Sequence, residues 1–409
     1  MATGLRRIAL ILVSIALIVP LFVTTIPPLL DYPSTLARMA AIAAGSQDAD
    51  VARLYTMHWR IAPDLGMDPL VPLLAPIMPL TLVVKLFLAL ALILPFLGTV
   101  ALHDAIFEKR SWWPLASAIV VYNAALLAGF LDFMIALGLA LLGTACWVRL
   151  AKRPRRQLAA GAAIAAAILL VHVFSAAFYL VMIGSFELRA FRNASSASQL
   201  RHRVAKLLIA VLPTALIYLR ALTDGKIASP LRIAKGLWWT LAKADLMHKA
   251  LGAAASFFTY DLGSDLLILI AVAAAIAALA LARKLSFAWP IAIGLGLLLT
   301  FLLVTGFASS WTDIRLPVLA GFLLFAGITP RRLGRRETAV LGLAFAALIV
   351  ARLGVITLAW QGQNADLADI ATVLTPVKVQ DRVLVMAAPQ AATQPARLRS
   401  LEPLTAQLN

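Results

Sequence analysis

Charge is scarce in this 409-residue sequence: 13% of residues are Asp, Glu, Lys or Arg, and 62% are hydrophobic. Soluble domains carry about 25% charged residues, so there is too little polar surface here to wrap a soluble globule of this size. The same apolar richness excludes disorder. An integral membrane protein remains. Cysteine is nearly absent, with Cys146 the only one. That excludes an intrachain disulfide framework and a cysteine-rich metal site. Histidine is sparse as well. His58, His103, His172, His202 and His248 contain no H-x-x-x-H pair, which argues against zinc. There is no Walker A segment, no Gly-x-Ser-x-Gly elbow and no dinucleotide fingerprint. ATP-driven transport and serine hydrolysis lose support accordingly. No strong internal repeat is visible, which disfavours an inverted-repeat transporter. Acids are also short, 19 against 36 Lys and Arg, for a net charge of +17. In a soluble protein this would suggest nucleic acid. No soluble basic module exists here to bind it, and basic residues that anchor loops to anionic lipid account for the excess.

What is present is a series of long apolar runs. Arg6 and Arg7 precede a stretch without charge until Asp31. It is long for a signal-peptide core and no A-x-A-like cleavage site follows, so it reads as a first span. Further spans are predicted, giving runs near 8–27, 79–102, 112–129, 132–149, 157–172, 174–190, 204–221, 264–282, 286–306, 316–330 and 338–359. The fold class expected is therefore an all-α polytopic bundle of about eleven transmembrane helices. The apolar run Leu158 to Glu187 is split near His172 because basic clusters flank both of its ends. Orientation follows from charge. Arg6–Arg7, Lys109–Arg110, Arg149 to Arg156, Arg189 to Lys206, Arg283–Lys284 and Arg331 to Arg336 fall on one side and hold 20 of the 36 basic residues. Positive charge marks the cytoplasmic face, which places the N-terminus inside and the C-terminus outside.

Three longer segments then lie on the outer, periplasmic face: about 28–78, about 222–263, and 361–409 after a transmembrane module over 1–360. The first begins Pro27-Pro28-Leu29-Leu30-Asp31-Tyr32-Pro33. The prolines stop the span, and Asp31 is the first charge beyond it. Ser34 is positioned to cap a short helix with Leu36, Met39, Ala40 and Ala43 on its apolar face, ended by Gly45. A second helix is expected over Asp48 to Trp59, then a turn-rich return through Pro63, Asp64, Gly66, Asp68 and Pro69. A carboxylate at a span end beneath such helices suits general-base work, since desolvation raises its pKa. The plainer reading is that Asp31 caps the next helix or meets Arg38. In the second segment, Leu231, Ala234, Leu237, Trp238, Leu241, Ala244, Met247 and Leu251 recur at helical spacing opposite Arg232, Lys235, Lys243 and Lys249. That pattern predicts an amphipathic helix over about 230–251 lying on the membrane surface.

Other polar residues fall near the same face. Asp132 follows Gly129-Phe130-Leu131 at a tight turn and should face protein or water. Lys85 lies about two turns inside the second span and needs a partner or an anionic ligand. Arg315, in Trp311-Thr312-Asp313-Ile314-Arg315-Leu316-Pro317, is available for a phosphate or a carboxylate such as Asp313. His172, a lone histidine between apolar runs, reads either as a buried hydrogen-bonding residue or as part of an outer cavity.

Asp31 just past the first span, followed by a large outer loop, and Arg315-Leu316-Pro317 at a late span resemble the GT-C class of polytopic membrane glycosyltransferases. Asp31-Tyr32-Pro33 with Ala37-Arg38, Tyr122-Asn123 and Gly129-Phe130 look more specifically like a bacterial group of GT-C-like membrane proteins. The sequence departs from that class in three places. Asp31 stands alone until Asp48, Trp238-Trp239 is followed by Thr240 in place of an acid, and the C-terminal segment is short. The resemblance implies transfer of a sugar from a polyprenyl-phosphate donor to an acceptor hydroxyl on the periplasmic face of a bacterial cytoplasmic (inner) membrane. Asp31 would be the catalytic base, and Arg315 and Lys85 would hold the donor phosphate. Asp68 and Asp132 would orient sugar hydroxyls, with Arg38 and His172 completing the substrate-binding set. For cofactors, a divalent metal is compatible with this chemistry, and no cluster of acids compels one. The partners implied are the lipid-linked donor and membrane lipids, with no nucleic acid and with the acceptor left open. Two alternatives stand beside this reading: a non-catalytic scaffold of the same shape that binds a partner, and a transporter or flippase of a lipid-linked anionic solute.

Overall fold

The computed structural model describes residues 2–45, 48–192, 196–223, 252–304 and 311–376. The amphipathic helix expected over 230–251 lies outside the described residues, as does the segment beyond 376. The described residues are 78% helical and nearly all-α. Among the described residues, eight helices are long and apolar enough to cross a membrane: Gly4–Phe22, Leu80–Phe107, Leu131–Arg149, Pro154–Val171, Val173–Ala190, Arg203–Thr223, Leu262–Leu281 and Arg335–Ile370. This is the architecture of a multi-pass membrane bundle. Three further apolar stretches, Trp113–Leu127, Trp289–Thr300 and Ile314–Gly327, are shorter. The predicted split of the long apolar run falls where expected. His172 is extended, at φ −160° and ψ 120°, and separates Pro154–Val171 from Val173–Arg192.

Four local expectations are corrected. The stretch 112–129 is not one straight span. It is a 3-10 helix over Trp113–Val120, entirely buried, followed by a short α-helix over Ala124–Leu127. Asn123 causes the break: its amide donates to the carbonyls of Val120 and Val121, and its oxygen accepts from Leu126 N–H. A side chain that takes backbone partners in this way ends one helix and caps the next. The helix expected over Asp48–Trp59 spans only Ala49–Leu54. Tyr55, Trp59 and Ile61 stay exposed, so no packing pays for its extension. The helix expected to end at residue 359 continues to Leu374. Finally, a two-stranded antiparallel ribbon pairs Leu285–Phe287 with Ile328–Pro330.

The centre of the bundle is the pair Leu80–Phe107 and Leu131–Arg149. A Cβ on Gly98 would sit 2.8 Å from the carbonyl oxygen of Gly138, so these two helices approach backbone to backbone, as small residues permit in membrane bundles. Thr259, Asp265 and Arg352 form a closed polar knot beside them. Arg352 donates to Asp265 at 2.9 Å and to the carbonyls of Tyr122 and Phe257, each at 2.7 Å. Asp265 also accepts from the Thr259 hydroxyl at 2.6 Å and from its backbone N–H. Elsewhere Arg6 pairs with Asp104 at 2.8 Å and donates to the carbonyl of Ser111.

Candidate functional site

A cavity of about 280 Å³ opens where the ends of several helices meet, and Asp31, Arg38, Asp132, His172 and Arg315 all line it. Five of the seven residues singled out from sequence therefore converge, from segments separated by hundreds of residues. Ser34, Met39, Phe87, Phe130 and Phe133 complete much of the wall.

Asp31 sits at the N-cap position of the helix Tyr32–Ala44, yet its side chain accepts no capping bond from the backbone. Ser34, which the sequence suggested as the cap, instead donates its hydroxyl to Asp31 Oδ1 at 2.6 Å. The backbone of Asp31 is held by its neighbour across the fold, with Leu30 N–H on the carbonyl of Leu127 at 2.8 Å and Asp31 N–H on that of Ala128 at 3.2 Å. Gly129 makes this approach feasible. Its φ is +86°, and a Cβ there would fall 2.7 Å from Asp31 Cβ and 2.8 Å from Asp31 N. The carboxylate itself is exposed. The cover of short helices expected over Asp31 therefore leaves it exposed.

Arg38 does not meet Asp31 in any described ion pair. Its guanidinium lies 3.2 Å from Asp68 and 3.7 Å from Asp132. Asp132 also accepts from Met67 N–H at 3.1 Å. Gly66, with φ +58°, carries the loop directly across the Asp132 carboxylate, where a Cβ could not fit. Asp68 is not part of the lining and reaches the cavity only through Arg38. Burial raises the Asp68 carboxyl above its usual range, and Arg38 opposes that rise.

Arg315 lies with its guanidinium 4.5 Å from the centroid of Phe130 and 5.6 Å from that of Phe133. The negative faces of these rings hold the cation at the cavity wall. The side chain of Asp313, its suggested partner, lies outside the described ones. His172 packs edge-on to Phe133 at 5.5 Å. Burial, aided by the nearby Arg315, pushes its pKa down to about 3, so it is neutral at physiological pH.

Lys85 is not in the lining, and its expected role in this site is corrected. Its ammonium donates to the carbonyl of Thr24 at 2.7 Å. Carbonyls just past the first helix lack intrahelical partners, and a cation from the adjacent helix completes one of them. One contributor escaped the sequence reading as a functional residue. Asp64 accepts from Val173 N–H at 2.7 Å and lies within electrostatic reach of Arg315. The only sequence signal was its place in a turn, Pro63-Asp64-Leu65-Gly66.

Among the described residues no three His, Cys, Asp or Glu side chains converge as a metal-ion site. The cavity thus offers one exposed, hydroxyl-oriented carboxylate, a second carboxylate shared with Arg38, one stacked guanidinium and one neutral imidazole. That set can take a proton, hold a phosphate and orient hydroxyls. The chain matches no family model, no curated protein and no solved structure.

Proposed function

We propose that this protein is a membrane glycosyltransferase of GT-C-like architecture, with about eleven spans by the hydropathy criterion. It uses a polyprenyl-phosphate sugar on the periplasmic face of a bacterial inner membrane. The observation that carries this reading is the convergence of Asp31 and Arg315 on one cavity at helix ends. A lipid-linked donor presents its phosphate and sugar at that depth. Asp31 takes the proton from an acceptor hydroxyl as the oxygen attacks the anomeric carbon, and Ser34 keeps its carboxylate aimed. The bond from the anomeric carbon to the phosphate oxygen breaks, and the departing lipid phosphate gains charge. Arg315 neutralises that charge from its aromatic bed. Asp132, His172 and Arg38, which line the same cavity, hold sugar hydroxyls. Lys85 has no part in this scheme, and Asp68 acts by holding Arg38.

The test is a transfer assay with purified full-length protein in lipid and a panel of polyprenyl-phosphate sugars, paired with Arg315→Ala. Donor-dependent transfer that Arg315→Ala weakens in both donor affinity and turnover supports the reading. Binding of the donors with no transfer to any acceptor would favour a non-catalytic binding scaffold.

A further inference from the structure

The loop Asp64-Leu65-Gly66-Met67-Asp68 touches the cavity wall at three separate points. At its start, Asp64 N–H and Leu65 N–H bond the carbonyls of Leu169 and Leu170, at 3.3 and 2.8 Å. The Asp64 carboxylate then accepts from Val173 N–H at 2.7 Å. In its middle, Met67 N–H bonds Asp132. At its end, Asp68 pairs with Arg38. His172 is thereby gripped on both sides. The carbonyls before it and the amide after it are bound by one loop, and its own extended backbone interrupts the two helices.

We propose that Asp64 is the positioning residue of this site: it clasps the helix break at 169–173 so that His172 faces the cavity. The proposal rests on the transferase reading, since it assigns Asp64 no contact with substrate. Val173 N–H is the first amide of a new helix, with no intrahelical partner. A carboxylate there completes the amide and favours the positive end of the helix. Without it, the break at His172 has a free amide, and the loop holds the break only from its other side, through the carbonyls of Leu169 and Leu170. The charge of Asp64 also stands within reach of Arg315, so the same side chain bears on both the imidazole and the guanidinium.

Two variants separate the hydrogen bond from the charge. Asp64→Asn keeps an acceptor oxygen for Val173, while Asp64→Ala removes it. Hydrogen exchange of the full-length protein in lipid, resolved at Val173, needs no activity. Asp64→Ala should exchange about five to ten times faster there, the scale of one lost hydrogen bond. Asp64→Asn should stay near the wild type, and amides deep in Val173–Arg192 should not change in either variant. In the transfer assay Asp64→Ala should lower kcat/KM by about tenfold through the same lost bond, with Asp64→Asn restoring most of it. Unchanged exchange at Val173 in Asp64→Ala, or Asp64→Asn failing as badly as Asp64→Ala, overturns the clasp. A wild type that transfers from no donor overturns the transferase reading instead, while the exchange result still decides the clasp.

Discussion

Two groups of arginine and aspartate in this protein use the same chemistry to opposite ends. In the knot, Arg352 and Asp265 are closed off from solvent, with side-chain exposures of 3% and 2%. Asp265 is bound by Thr259 twice and by Arg352, and Arg352 reaches two carbonyls as well. In the cavity, Arg38 is 47% exposed and divides itself between two carboxylates. Asp31 beside it is bound by Ser34 and otherwise open. A buried pair held by protein at most of its polar atoms fixes geometry, and its value is the large cost of breaking it. A half-exposed group contributes little to stability and stays available to a ligand. What separates structure from chemistry here is how completely each charge is satisfied.

The sharpest way to break that comparison is Arg352→Ala. It leaves the buried Asp265 carboxylate with its bonds from Thr259 but without its countercharge, and should cost about 3–5 kcal/mol. The thermal unfolding midpoint in detergent measures this, and a shift no larger than that of a cavity variant would erase the distinction. Gly129→Ala comes next. A Cβ at φ +86° meets the backbone of Asp31, and strain of this kind costs about 1–3 kcal/mol. It should lower both the unfolding midpoint and transfer, because Asp31 must move.

Arg38→Gln should change stability by less than about 1 kcal/mol, since the pair is partly solvent-screened. Donor or acceptor affinity should fall more visibly, which the transfer assay reads as a raised KM. A separate effect is on pH. His172 has a folded pKa of about 3 against an ordinary value of 6.5. The unfolded chain therefore binds the extra proton first as pH falls below 6.5, and stability declines from there toward pH 3. His172→Gln should flatten that part of the unfolding profile. Above pH 6.5 the two proteins should run parallel, and a divergence there would contradict a neutral His172.

The long apolar helices were legible because hydropathy and flanking charge act locally, and so was the interruption at His172. The cavity was legible in part. Asp31, Arg38, Asp132, His172 and Arg315 stand out as polar residues at the ends of apolar runs, where a membrane makes them costly unless used. Asp64 was not, because its meaning comes from an amide 109 residues away. Lys85 misled for a related reason: a cation inside a span needs a partner, and the backbone of Thr24 supplies it. Arg352 and Asp265 do carry a signal in the sequence. Both are charges within predicted spans, over 338–359 and 264–282. The bent segment Trp113–Leu127 was hidden because its apolar composition reads the same whether lipid or protein surrounds it, and only Pro114 and Asn123 hint at the difference.

The central claim is that the cavity is open chemistry held by closed structure, and Asp31→Asn tests it most directly. The substitution keeps the shape and the Ser34 contact while removing the base. Transfer from a polyprenyl-phosphate sugar should fall by about 10²–10⁴-fold, the usual contribution of a general base, with the unfolding midpoint and donor binding unchanged. Full activity in Asp31→Asn, or a loss of activity matched by a loss of folding, would contradict the account.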